Sequence, residues 1–163
     1  MTKIVVPERN DAEGVRHEVD NDDYSLSLLE FANGAIGSMQ ASRVAVGRAF
    51  EVSFTLTGTR GAIRFSQQES YKLEVSLDSD GLATHGFRTI ELGPGHGEYG
   101  ALWPMSGINV GLHELKIFEV KKFIDAIVAG APSSPDFREA WQIQKVIDAI
   151  EKSDEQRRWC EVS

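Results

Sequence analysis

The sequence predicts an α+β fold built on a large, mostly antiparallel sheet. Three observations carry that reading. Short period-two alternations joined by turn residues fill the first two-thirds of the chain. An Asn-Gly pair separates two β-capable runs, and helical periodicity is confined to the last third. Strands first and helices after is the segregated pattern, not the alternating strand–helix one.

The hairpin lies in "DYSLSLLEFANGAIGSMQAS". Two apolar runs flank Asn33-Gly34, and Asn-Gly tolerates the positive φ angles of a type I′ turn. In "FEVSFTLTGTRGAIRF", Phe50, Val52, Phe54 and Leu56 alternate with Glu51, Ser53, Thr55 and Thr57, which gives one apolar face. A turn over residues 58–61 leads into a short strand over 62–65. Tyr71, Leu73, Val75 and Leu77 mark the next strand, "DSDG" the next turn, and "RTIEL" a further strand. Tight turns between short strands imply antiparallel pairing.

Residues 112–129 read as a helix. Ile117, Val120, Ile124, Ile127 and Val128 share a face, and Gly130 suits the C-terminal cap. A second helix opens at "SSPDFREAW". Ser134 is the expected cap, Pro135 suits the first turn, and Asp136 and Glu139 suit the helix dipole. Ile143, Val146, Ile147 and Ile150 form its stripe, and residues 158–162 are expected to return as an edge strand.

A chain of 163 residues with 41% hydrophobic content fits one domain, residues 1–163, with a real core. Its formal charge of −8 opposes nucleic-acid binding. The lone Cys160 cannot form an intrachain disulfide, no run is long enough for a membrane span, and "MTKIVVPERND" is not a signal peptide. A cytoplasmic protein is the expectation.

The stretch "GPGHGEYG" spells G-x-G-x-x-G at Gly95, Gly97 and Gly100. That pattern cradles a dinucleotide only where a strand precedes it, a helix begins on it, and a parallel strand follows. Pro104 and Gly107 break any helix there, so the expectation is no cofactor on this chain. "HELKI" has Ile117 where a zinc protease needs its second histidine, and no metal site is expected. No catalytic set is evident. The glycine-rich segment 81–111 is long for a connection in a compact domain, and such loops are more often functional than idle.

Two surfaces stand out. Ser53, Thr55 and Thr57 form a small, uncharged polar strand face, and Ser38, Gln40 and Ser42 form another. Such faces suit packing against a second subunit as well as solvent. On the first helix, Leu115 and Phe118 lie opposite the main stripe, which makes them interface candidates. His113 shares the stripe's face.

The series "LLEFANGAIGSMQASRVAVGRAFEVSFTLTGTRGAIRF", followed by "FIDAI" and "VIDAIEKS", resembles the C-terminal domain of the Gfo/Idh/MocA family of NAD(P)-dependent oxidoreductases, inositol dehydrogenases among them. The likeness runs from about residue 15 to the end of the chain. It implies the glyceraldehyde-3-phosphate dehydrogenase-like fold: a large antiparallel sheet with helices on one face. It implies a partner Rossmann domain, a homo-oligomer (a dimer through the sheet), and NAD or NADP in the full-length enzyme. The family's E-K-P lysine and its D-x-x-x-H helix have no match here. Catalytic residues are therefore expected outside this chain, which alone should bind no NAD(P).

The resemblance also implies substrate contacts. Arg48 and Phe50 match positions near the start of a substrate-contacting strand, although Phe50 lacks a hydroxyl and equally suits core packing. The loop carrying His96, Tyr99 and Trp103 faces the sugar or polyol; aromatic faces cover C–H surfaces while imidazole and phenol bond hydroxyls. His113 is a further candidate, and Arg43 matches the family's "SR" with a loop-orienting or interface role. The implied reaction is reversible oxidation of a hydroxyl to a ketone. The alternative is a free-standing, non-catalytic dimerisation or small-molecule-binding module. The upstream coding sequence discriminates the two.

Overall fold

In the computed structural model, residues 1–48, 50–108 and 111–163 are described. In chain order the elements are β1 (Thr2–Lys3), β2 (Glu8–Asn10), β3 (Arg16–Glu18), β4 (Tyr24–Glu30), β5 (Ile36–Ser42), β6 (Ser53–Gly58), β7 (Gly61–Ser66), β8 (Lys72–Leu77), β9 (Arg88–Glu91), α1 (Leu112–Ala129) and α2 (Phe137–Gln156). Short 3-10 turns occupy Gln67–Glu69 and Gly97–Leu102. The α+β class holds, and every strand pairing is antiparallel. The strands divide into sheets ordered β1-β4-β5, β2-β3 and β6-β7-β8-β9.

Two compact units are distinguishable, residues 1–49 with 134–163, and residues 50–133. In the first, β4 and β5 pair along their full length, from Tyr24↔Ser42 to Glu30↔Ile36. The hairpin forms as predicted, but not with a type I′ turn. The Phe31 N–H donates to the Ala35 carbonyl at 2.9 Å, and the Gly34 N–H to the Phe31 carbonyl at 2.8 Å. Gly34 sits at φ +83, while Asn33 keeps a negative φ. This is a three-residue loop: a type I turn followed by a left-handed glycine. One left-handed residue supplies the twist, and the Asn33 side chain is freed to accept the Ala35 N–H at 3.1 Å.

Asp23 organises the base of this hairpin. Its side chain is fully buried, accepts the N–H groups of Val5 and Val6 at 2.8 and 2.7 Å, and pairs with Arg9. Its own N–H donates to the Lys3 carbonyl, and its carbonyl accepts the Arg43 N–H, both at 3.0 Å. One buried carboxylate thus satisfies main-chain donors that no strand partner reaches.

The cap of α2 is Asp136, not Ser134. Asp136 accepts the Glu139 N–H at 2.8 Å, and Glu139 returns the bond to the Asp136 N–H at 2.8 Å. Only the residue three before Glu139 can close this reciprocal pair. Ser134 instead donates its hydroxyl to the Glu139 carboxylate at 3.2 Å. The expected edge strand over 158–162 does not form. That tail, with β4, α2 and Met1, lines a cavity of about 470 Å³.

In the second unit, β6 to β9 form a meander. Phe54 and Leu56 pair with Phe65 and Ile63, so the predicted apolar face is real. The Phe54 and Phe65 rings stack at 5.4 Å. Phe50 and Val52 precede the strand. Helix α1 has the predicted bounds, and Gly130 closes it at φ +61 with its N–H on the Ala126 and Ile127 carbonyls. Its main stripe, expected in a core, is exposed at Ile117, Val120, Ile124, Ile127 and Val128. Leu115 and Phe118 are half-buried instead.

Candidate substrate-facing loop

The glycine-rich segment after β9 folds on itself through close contacts. A Cβ on Gly100 would lie 2.5 Å from the Pro94 carbonyl oxygen, and one on Gly93 would collide with the Ser106 side chain. These two positions close the loop because no side chain fits in them. The Gly93 N–H donates to His96 Nδ1 at 3.0 Å. The same Nδ1 lies 3.2 Å from the Gly93 carbonyl oxygen, so the imidazole closes on both main-chain groups of Gly93. His96 is exposed.

The 3-10 turn Gly97–Leu102 follows and ends on Trp103. Trp103 is only 2% exposed, yet among the described residues its indole Nε1–H meets no acceptor. An orphaned buried donor is unusual, because its lost hydration goes uncompensated. Lys122 of α1 pairs with Glu98 at 3.1 Å, which ties the helix to the turn. The side chain of Tyr99 lies outside the described residues.

These residues do not build a dinucleotide cradle. The strand before them pairs antiparallel, a short 3-10 turn replaces the long helix, and the Gly93 amide is spent on His96. Gly97, at φ +60, and Gly100 serve the turn itself.

The other predicted residues are placed as follows. His96 and Trp103 share this loop. His113 is exposed in the first turn of α1, and Phe50 is exposed ahead of β6, its carbonyl accepting a Gln68 side-chain bond. Arg48 is exposed and belongs to the first unit. Ser38, Gln40 and Ser42 are exposed beside Gln40's partner Leu26 and Ser38's partner Leu28, so their face is mixed rather than purely polar. The Arg43 side chain is exposed near it. Ser53, Thr55 and Thr57 are exposed on β6, next to Ser66, Arg64 and Ala62, in a different sheet from β5. Ser27, not singled out in the sequence, is 9% exposed, lines the cavity of the first unit, and has a hydroxyl without a partner among the described residues. Only its place among apolar neighbours in "YSLSLLE" marked it.

Residues 2–162 match the model of the Gfo/Idh/MocA oxidoreductase family, C-terminal alpha/beta domain. The chain belongs to this family. A levoglucosan dehydrogenase from Pseudarthrobacter phenanthrenivorans is 38% identical over 150 residues, which is 92% of this chain and 38% of the relative. A levoglucosan dehydrogenase solved with NADH and L-sorbose superposes with a TM-score of 0.94 at 36% identity, covering 99% of this chain and 44% of that one. The complex with NADH and levoglucosan gives 0.91 at 37% identity, covering 98% and 42%. The chain thus spans about two-fifths of the length of these oxidoreductases, and what it matches is the family's C-terminal domain.

Proposed function

We propose that these residues form the substrate-binding and dimerisation part of an NAD-dependent dehydrogenase that oxidises a hydroxyl of a cyclic sugar or polyol. The observation that carries this is the chain-long agreement in conformation with a dehydrogenase solved with NADH and with sugars. Because the residues of the glycine-rich loop do not fit the dinucleotide, NAD is assigned to the part of the longer protein outside this chain. The role left to the loop is to hold the sugar. The Trp103 indole N–H and the His96 imidazole are hydrogen-bonding groups for sugar oxygens, Tyr99 supplies a phenol, and aromatic surface covers C–H faces. Arg48, Phe50 and His113 are secondary candidates. Dimerisation is assigned to the exposed faces carrying Ser38, Gln40 and Ser42 on β5 and Ser53, Thr55 and Thr57 on β6, with Arg43 and with Leu115 and Phe118 as further candidates.

The test is a protein of the family's full length incubated with NAD and a panel of levoglucosan, inositol and aldoses, with NADH read by absorbance. NADH is expected with at least one cyclic sugar. Trp103→Phe should raise KM up to about tenfold with kcat little changed, the size of one lost neutral hydrogen bond. A folded protein that forms no NADH with any of them overturns the assignment. Sedimentation reads the other half, and a monomer at working concentration refutes dimerisation.

A further inference from the structure

Helix α1 has two unlike sides. One carries the exposed apolar stripe, and the other carries the half-buried residues Leu115, Phe118 and Ala126. At 3.6 residues per turn these three fall in one row, at i, i+3 and i+11. The position between them in that row, i+7, is Lys122. A lysine among half-buried apolar neighbours is not on the solvent side of its helix. Its Nζ lies 3.1 Å from the Glu98 carboxylate and 5.5 Å from the centre of the Phe118 ring.

We propose that Lys122 is a positioning residue. Through Glu98 it fixes the turn Gly97–Leu102 against α1, and so sets where His96 and Trp103 stand towards the sugar. This rests on the reading that the loop holds the sugar. Three observations select Lys122. The other lysine pairs of α1 close within the helix, Lys116 on Glu119 and Lys121 on Asp125, whereas Lys122 reaches out of it. Glu98 lies in the first turn of the 3-10 segment, two residues after His96 and five before Trp103, so any shift of Glu98 carries them. All four residues belong to one compact unit.

The division of labour follows from geometry. Leu112 and Lys122 are separated by about 15 Å of helix, so the turn lies alongside α1 rather than at its start. The close approaches of Gly93 to Ser106 and of Gly100 to Pro94 shape the loop from within. They do not set it against the helix; the Lys122–Glu98 pair does. Both side chains are about half-exposed or more, and such a pair shifts an equilibrium by only about two- to fivefold. That is too little to hold the fold and enough to bias one turn between a held and a released position. The contact with the Phe118 ring restricts the lysine stem, which lowers the entropy lost on pairing.

The test uses a full-length family protein carrying Glu98→Lys, Lys122→Glu, or both. Either single change sets like charges together. The Trp103 amide, which bonds the Gly100 carbonyl, should then exchange about two- to tenfold faster, with the β6–β7 ladder unchanged. KM for the sugar should rise by a similar factor, with kcat and the KM for NAD little changed. The double swap restores opposite charges and should return exchange and KM to within about twofold of the parent. Added salt should move the parent towards the single variants, because it screens an exposed pair. Unchanged Trp103 exchange in both single variants, or no recovery in the double swap, overturns the proposal. Faster exchange that the swap reverses, with KM unmoved for every sugar turned over, supports the tether and refutes the sugar-holding reading of the loop instead.

Discussion

Replacing Asp23 by alanine tests whether one carboxylate holds the start of the chain to the hairpin. Its side chain is fully buried and accepts three donors: the N–H groups of Val5 and Val6 and the Arg9 guanidinium. Hydrogen bonds to a charged group contribute about 1.5–3 kcal/mol each. Alanine removes the acceptor of all three bonds at once and leaves part-buried donors unpaired. Breaking one side of a buried pair costs about 3–5 kcal/mol, and Arg9, being part-exposed, regains some hydration. We therefore expect a loss of about 3–4 kcal/mol, read as a fall in the urea midpoint at constant slope. Asp23→Asn keeps the shape and one acceptor oxygen, and should lose about half as much. The Arg9→Ala, Asp23→Ala pair forms a cycle in which the double variant is little worse than Asp23→Ala alone. A loss below about 1 kcal/mol for Asp23→Ala would refute the reasoning, because a dispensable buried carboxylate cannot be holding Val5, Val6 and Arg9 to the hairpin.

Two further outcomes separate other readings. Gly100→Ala, which sets a methyl against the Pro94 carbonyl, should destabilise by about 1–3 kcal/mol, whereas Gly95→Ala, with open space around it, should stay within about 0.5 kcal/mol; thermal melts decide, and equal effects would return the three glycines to a shared role. The carboxyls of Asp80, held low first by the Arg88 hydrogen bond, and Asp154, held low first by the Thr2 hydroxyl, have folded pKa values below their ordinary value of 3.8. Their stabilisation is complete above that value and is lost as pH falls through the lowered folded values, so urea midpoints should drop below about pH 4, and Asp80→Asn should shrink the drop; a midpoint flat to pH 2 contradicts this.

The sequence was legible where the signal was local and periodic. The bounds of α1, its glycine cap, the β4–β5 hairpin and the β6–β9 alternation all follow from residues within a few positions of each other. The capping box of α2 was also legible, since Asp136 lies three before Glu139, but Ser134 beside Pro135 offered a competing cap. The hairpin's turn type depended on which of two short loops the strands would tolerate, which the Asn-Gly pair alone does not decide. Asp23 was not legible. In "DNDDY" it reads as part of a solvated acidic run, and its partners lie 14 to 18 residues away. In the candidate loop, the residue types of His96 and Trp103 were visible; the closure of the loop by Gly93 and Gly100 against Ser106 and Pro94 was not.

The fate of α1's stripe shows what periodicity measures. A 3.6-residue apolar period states that a face is apolar; it does not state that the partner lies in the same stretch of chain. Ile117, Val120, Ile124, Ile127 and Val128 are each more than half exposed. Full burial of such a side chain contributes about 1.5–3 kcal/mol, so covering these five stands to add about 4–8 kcal/mol. That is comparable to the whole stability of an ordinary domain, about 5–15 kcal/mol. The chain spans about two-fifths of its relatives and keeps its fold's conformation, at a TM-score of 0.94, with this apolar face exposed. The apolar face of the β6–β9 meander is likewise exposed at Phe54 and Leu56, so alternation, too, reports polarity rather than the partner.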